Sequence, residues 1–292
     1  MSLKDKIRLF VPPIYYKVKK RLFPKKQPNH HPLPKVEHEK NRMVVIGTGP
    51  SLNKTMKLYG ERLKDYDCLM VNFSARTSVF ELIKPKYYIM ADPGFITEDS
   101  IRESINGLVS DLCCKTTWSM FVILPDSLKS WDGCAKLAEA ENINLLFYNN
   151  HCANVPSGKL FEAWDKNSIA PPAQTVLNTA IWLSIYLGYV ETYLVGADTS
   201  FIKDIYVGQK DNILYTIDAH FYDNQAVCPD EIEPERGGRK FGMNMEQILD
   251  AVHIMFQSYY QLQKYAEWKG VKIFNASEYS MIDCFERKKI IE

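Results

Sequence analysis

From residue 42 onward, short apolar runs alternate with longer stretches in which apolar positions recur every three or four residues. The short runs are 43–47 (MVVIG), 67–72 (DCLMVN), 87–91 (YYIMA), 119–124 (SMFVIL), 144–148 (NLLFY), 192–196 (TYLVG) and 271–275 (VKIFN). They are apolar along most of their length and rich in β-branched or aromatic residues, which predicts strands covered on both faces. The stretches 53–65, 76–84, 97–109, 125–141, 174–189 and 245–269 have the length and period of helices. Such alternation, joined by right-handed crossovers, predicts an α/β fold of Rossmann-like, doubly wound type with a mostly parallel sheet.

The pattern lapses in two places and divides the chain. Residues 1–40 form a basic arm and linker, 41–198 an α/β domain, 199–243 an insertion, and 244–292 a helix–strand–helix unit completing the domain. The insertion mixes Tyr, Asp and Gly without clean periodicity and contains EPERGGRKFG. An irregular segment of that size after a core strand is typically functional, which predicts a lid over a site.

Charge changes the picture at the N-terminus. Residues 1–40 carry eleven Lys/Arg against Asp5, Glu37 and Glu39, a net +8, whereas the remaining 252 residues carry −7. Within 1–26 the cations are interleaved with Leu3, Ile7, Phe10, Ile14, Tyr15, Tyr16, Leu22 and Phe23. That mixture suits an anionic membrane surface, where stems bury and charges meet headgroups; a solvated basic tail is the plainer reading. No basic stripe or known motif marks the body for nucleic acid. No apolar run approaches the ~20 residues needed to span a bilayer, and the N-terminus is charged too early for a secretory signal. Seven cysteines, an odd number without CxxC spacing, favour reduced thiols over disulfides or a zinc site. The expected location is cytoplasmic, peripheral on the inner face of the membrane; a homo-oligomer is compatible with the sequence.

Candidate chemistry gathers at strand ends. The first strand runs into Gly47-Thr48-Gly49-Pro50-Ser51-Leu52. Glycines there allow a ligand close to the backbone, and the next helix N-terminus favours phosphate. Leu52 replaces the third glycine of the dinucleotide fingerprint, and no GK[ST] follows as in a P-loop. Asn72 and Asp92 end the second and third strands, and Gly196-Ala197-Asp198 ends the sixth. In open α/β sheets such residues converge on one crevice. The insertion supplies Tyr206 and the run Asp218-Ala219-His220-Phe221-Tyr222-Asp223. Histidine as a residue type can take up or release a proton near neutral pH, and His220, with acids beside it in the chain, is the best single candidate for a general base.

GxGPSL, Asn72, the unit LGYVETYLVGAD, Tyr206 eight residues after Asp198, and the His220 segment together resemble bacterial sialyltransferases of glycosyltransferase family 42. The resemblance covers roughly 42–225. It extends to surface-polysaccharide proteins and hydroxymethylpterin diphosphokinase-like proteins with the same core. It implies an inverting, metal-independent transferase with no cofactor, moving sialic acid or a related sugar from a CMP-activated donor to a hydroxyl of a glycan or glycolipid acceptor, such as lipooligosaccharide or capsule. Gly47, Thr48, Gly49, Pro50, Ser51, Asn72, Asp92, Thr175, Asp198 and Ser200 would then serve the nucleotide, Tyr206 the departing phosphate, and His220 the acceptor hydroxyl. The chain departs from the family at Thr48 and Asp92, where the family has asparagines, at Ser200, where it has tyrosine, and at Ala173, where it has arginine. Arg236 and Arg239 in the insertion are candidates to replace that arginine. Two other readings stay open: Mg²⁺-dependent pyrophosphoryl transfer with Asp92 and Asp198 on the metal, and a non-catalytic nucleotide-binding assembly protein.

Overall fold

Strands that are apolar on both sides need helices on both sides, and the chain supplies them. The computed structural model describes residues 33, 34, 36–92, 95, 102–150, 155–217, 219–223, 230, 231 and 244–290. The seven apolar runs become β1 (Arg42–Ile46), β2 (Asp67–Val71), β3 (Tyr87–Ile89), β4 (Met120–Pro125), β5 (Ile143–Tyr148), β6 (Glu191–Val195) and β10 (Lys272–Asn275). With the short edge strand β11 (Glu286–Arg287) they form one eight-stranded sheet in the order β11-β10-β6-β1-β2-β3-β4-β5. Every pairing in it is parallel.

Successive side chains of a strand face opposite ways, so each strand feeds two cores. Met43, Val45, Leu69, Val71 and Leu194 pack on one face, under α6 (Val176–Tyr186) and α7 (Met245–Lys269). Val44, Ile46, Met70, Val122 and Val195 pack on the other. There they meet α1 (Leu52–Tyr59), α2 (Ser78–Ile83), α3 (Arg102–Lys115) and α4 (Asp132–Ala138). α6 is buried from Leu177 through Ile185, as expected of a helix that is hydrophobic all round. A further helix, α5 (Leu160–Asp165), carries the buried Trp164 and has no counterpart among the expected elements. No helix among the described residues is long and apolar enough to cross a membrane.

The order of strands reverses between β1 and β6. β1 to β5 step outward in one direction, and the chain then returns to lay β6 on the other side of β1, with Ile46 opposite Val195. The carboxyl ends of these two strands form the topological switch point, where ligands of such sheets bind.

Two expectations need amending. The insertion is not wholly irregular: β7 (Tyr206–Val207), β8 (Leu214–Thr216) and β9 (Asp230–Glu231) make a small antiparallel sheet. The arm drawn over 1–40 ends in residues that belong to the body. Leu33 is buried, His38 stacks on Tyr189 at 4.2 Å, and the Glu37 carbonyl accepts from Lys86 Nζ at 3.0 Å. Residues 1–32, and with them the membrane-facing stretch 1–26, lie outside the described residues, as do Arg236 and Arg239.

Candidate functional site

The loops that leave β1 and β6 interlock. Gly47 N–H donates to Val195 O at 2.8 Å and Gly49 N–H to Gly196 O at 2.9 Å. A Cβ on Gly47 would lie 2.4 Å from Gly196 O, and one on Gly49 would lie 2.4 Å from Asp198 Cγ. Gly196 itself has φ +60°, a left-handed backbone that favours glycine. The glycines expected to admit a ligand thus admit the other loop first.

Asp198 completes the lock. Its carboxylate accepts from Ser51 N–H at 2.8 Å and from Ser51 Oγ at 2.5 Å. Burial pushes the Asp198 carboxyl above the usual aspartate range, against the opposing pull of the two bonds from Ser51. The negative group expected of a ligand at the N-terminus of α1 is therefore already supplied by the chain. From the far side, Ser277 Oγ accepts from Ala197 N–H at 3.0 Å and Ser280 Oγ donates to Ala197 O at 2.6 Å, so the turn after β10 holds the β6 loop in place.

Above these loops opens a pocket of about 500 Å³. Gly47, Thr48, Gly49, Asn72, Asp92, Thr175, Asp198, Ser200 and His220 line it. So nine of the twelve residues singled out from the sequence come together, from the ends of β1, β2, β3 and β6, the start of α6 and the insertion. Pro50, Ser51 and Tyr206 do not line it; Tyr206 lies on β7, stacked on Tyr215 with ring centroids 5.6 Å apart.

Two non-glycine residues at this rim have left-handed backbones, Asn72 at φ +45° and Thr199 at φ +53°. Conformations of this kind cluster at ligand sites, where surrounding bonds hold them. At Asn72 the holder is Tyr88, whose buried hydroxyl donates to Asn72 O and accepts from Ala75 N–H at 2.9 Å. The Asn72 side chain is then left with a buried Oδ1 that has no hydrogen-bond partner among the described residues.

Thr175 caps α6 through a capping box with Asn178. Its hydroxyl lies 3.3 Å from that of Tyr259, a residue of α7 whose ionisation burial pushes up to about 12. Gln174, Thr175, Val176 and Leu177 all face the pocket, and the first turn of α6 holds no acid. Here, unlike at α1, the positive end of a helix dipole is open to a ligand. Among the described lining residues there is no Lys or Arg.

His220 is fixed rather than swinging. Phe221 is buried, its N–H donates to Thr48 O at 2.9 Å, and its carbonyl accepts from Asn53 Nδ2 at 2.8 Å. The imidazole stacks on Tyr222 at 5.0 Å and 9°. Asp223 accepts from His220 N–H at 2.6 Å and places the same oxygen 3.6 Å from Nδ1. A carboxylate beside Nδ1 favours the tautomer that leaves Nε2 as acceptor. Asp218 lies outside the described residues.

Tyr148, Asn150 and Tyr259 are among the lining residues that were not anticipated. Tyr148 and Asn150 follow the strand-end rule at β5, which would have found them; Tyr259 lies within a helix whose periodicity reads only as core. Among the described residues no group of three or more His, Cys, Asp or Glu is placed to hold a metal ion. Cys68, Cys113, Cys114, Cys134 and Cys284 are free thiols, and burial pushes those of Cys68 and Cys284 up to about 12.

No protein-family model matches the chain, and no curated protein matches it. Among solved structures it is similar to the MAf glycosyltransferase from Magnetospirillum magneticum AMB-1, with 16% identity over 90% of this chain and a TM-score of 0.49. The chain spans 36% of that protein's length.

Proposed function

We propose that the chain is an inverting glycosyltransferase that moves a sialic-acid-like sugar from a CMP-activated donor to a hydroxyl of a surface glycan. The observation that carries this reading is His220, braced by Asp223 and pinned to the glycine loop through Phe221, at the wall of a pocket built from five strand ends. In the reaction the acceptor oxygen forms a bond to the anomeric carbon as the bond from that carbon to the phosphate oxygen breaks. The hydroxyl proton passes to Nε2 of His220, and Asp223 stabilises the imidazolium so formed. The charge growing on the departing phosphate is met by the open N-terminus of α6 and by the hydroxyls of Thr175 and Tyr259. These take the part that the resemblance gives to Tyr206. A pocket with acids and no described cation suits a donor with one phosphate better than a diphosphate. Residues 1–26 would hold the enzyme at an anionic membrane surface, close to a glycolipid acceptor.

Calorimetry with CMP, UDP, GDP and ATP tests the reading. CMP should bind most tightly, and transfer from a CMP-activated sugar should survive EDTA. Equal affinity for all four, or a preference for ATP, would remove it in favour of pyrophosphoryl transfer or simple nucleotide binding.

A further inference from the structure

We infer that Asn150, at the end of β5, recognises a neutral hydrogen-bond donor on the bound ligand and so helps set its specificity. Its Nδ2 donates to Ser127 Oγ at 2.9 Å, which fixes the plane of the amide. Its Oδ1 is buried, has no hydrogen-bond partner among the described residues, and belongs to a residue that lines the pocket. A buried carbonyl oxygen left unpaired is destabilising, and in folded proteins such groups are few. One that persists at a pocket wall is explained by a ligand that supplies the missing donor. Among the described residues the pocket has one other orphan carboxamide oxygen, Asn72 Oδ1. The ends of β2 and β5 lie three strands apart in the sheet, roughly 14 Å at ~4.8 Å per strand. A ligand satisfying both oxygens is therefore elongated, with donors toward each end.

The charge of the wall restricts what those donors are. Asp92, two strands from β5, lines the pocket and no described Lys or Arg does, so the Asn150 end disfavours phosphate and suits an amine or hydroxyl. On the glycosyl-transfer reading, on which this inference rests, the group has two sources: the exocyclic amine of the base, or a hydroxyl or amide N–H of the transferred sugar.

The test is Asn150→Leu, which has similar volume and no acceptor. The variant loses only the bond to Ser127, an exposed residue whose hydroxyl water can serve. Its Tm should rise by a few degrees, since a buried unpaired oxygen is removed. Its affinity should fall about tenfold or more for at least one of CMP, UMP and CMP-N-acetylneuraminic acid by calorimetry. A loss for CMP but not UMP assigns the donor to the base; a loss confined to the sugar nucleotide assigns it to the sugar. Asn150→Asp, which keeps an acceptor in place, should bind far better than the Leu variant. A fall in Tm for Asn150→Leu, or unchanged affinity for all three ligands, overturns the inference. If the wild-type protein binds none of them, the glycosyl-transfer reading fails; the Asn150 inference is then decided by Tm, and absence of a rise overturns it.

Discussion

Ser51 and Asp198 stand 147 residues apart in the chain and are joined by two hydrogen bonds, backbone N–H and hydroxyl of the one to the two carboxylate oxygens of the other. This pair closes the switch point. It ties the start of α1 to the end of β6, and with them the two loops on which the pocket rests. Asp198→Ala should cost about 1–3 kcal/mol, because the Ser51 N–H at the helix start loses its acceptor. Chemical denaturation at pH 7 checks it.

The same carboxylate gives a pH dependence with a definite sign. Burial raises the Asp198 carboxyl in the folded state, so the native protein keeps this proton where an unfolded aspartate has released it. The stability due to this group is full below the unfolded value and is lost as pH rises through the folded one. Asp198→Asn can still pair with Ser51 and does not titrate. The Tm of wild type minus that of Asp198→Asn should therefore fall as pH rises upward from the ordinary aspartate range. A difference that grows over that interval contradicts the assignment.

Gly196→Ala should be more damaging than a typical surface change. A left-handed backbone alone costs a non-glycine residue about 1–2 kcal/mol. The added Cβ would also lie 2.8 Å from Gly47 O, so one of the two loops must shift. Both Tm and nucleotide affinity should drop, whereas Gly158→Ala, with nothing within 4 Å of its Cβ, should change neither.

His220→Ala should lower turnover about 10²–10⁴-fold and leave CMP affinity nearly intact, since the base meets the acceptor. Asp223→Asn should lower it less, by altering how the ring is held rather than removing it. Stopped-flow or steady-state rates with donor in excess separate the two. Full activity in His220→Ala would end its role as base.

Removing residues 1–32 should leave a folded protein that no longer sediments with anionic liposomes yet still turns over a soluble acceptor. A cut after residue 36 is a poorer choice, because Leu33 is buried against the core and its carbonyl faces Tyr186 OH at 3.5 Å. Its Tm should be lower than that of the shorter deletion. Liposome binding that survives the removal of 1–32 would place the contact on the body.

The sheet was legible because its strands are apolar on both faces. Runs such as MVVI and MFVIL have few other uses in a chain of ordinary composition. The small sheet was not, since strands of two or three residues carry no measurable alternation. Strand-end logic found Asn72, Asp92 and Asp198, but it could not tell a residue that awaits a ligand from one already engaged. Asp198 is taken up by Ser51, while Asn72 Oδ1 is left without a partner among the described residues, and nothing local in the sequence separates them. Tyr259 escaped notice because helical spacing records which face is buried and not that the buried face meets a pocket.

The packing of Leu33, Glu37, His38 and Lys40 has a bearing on reach. These residues lie at the amino ends of the strands, just ahead of β1 at Arg42, whereas the pocket opens at the carboxyl ends. The five residues of β1 span roughly 17 Å at ~3.3 Å each. The point at which residues 1–32 join the body is therefore separated from the pocket by that thickness of sheet.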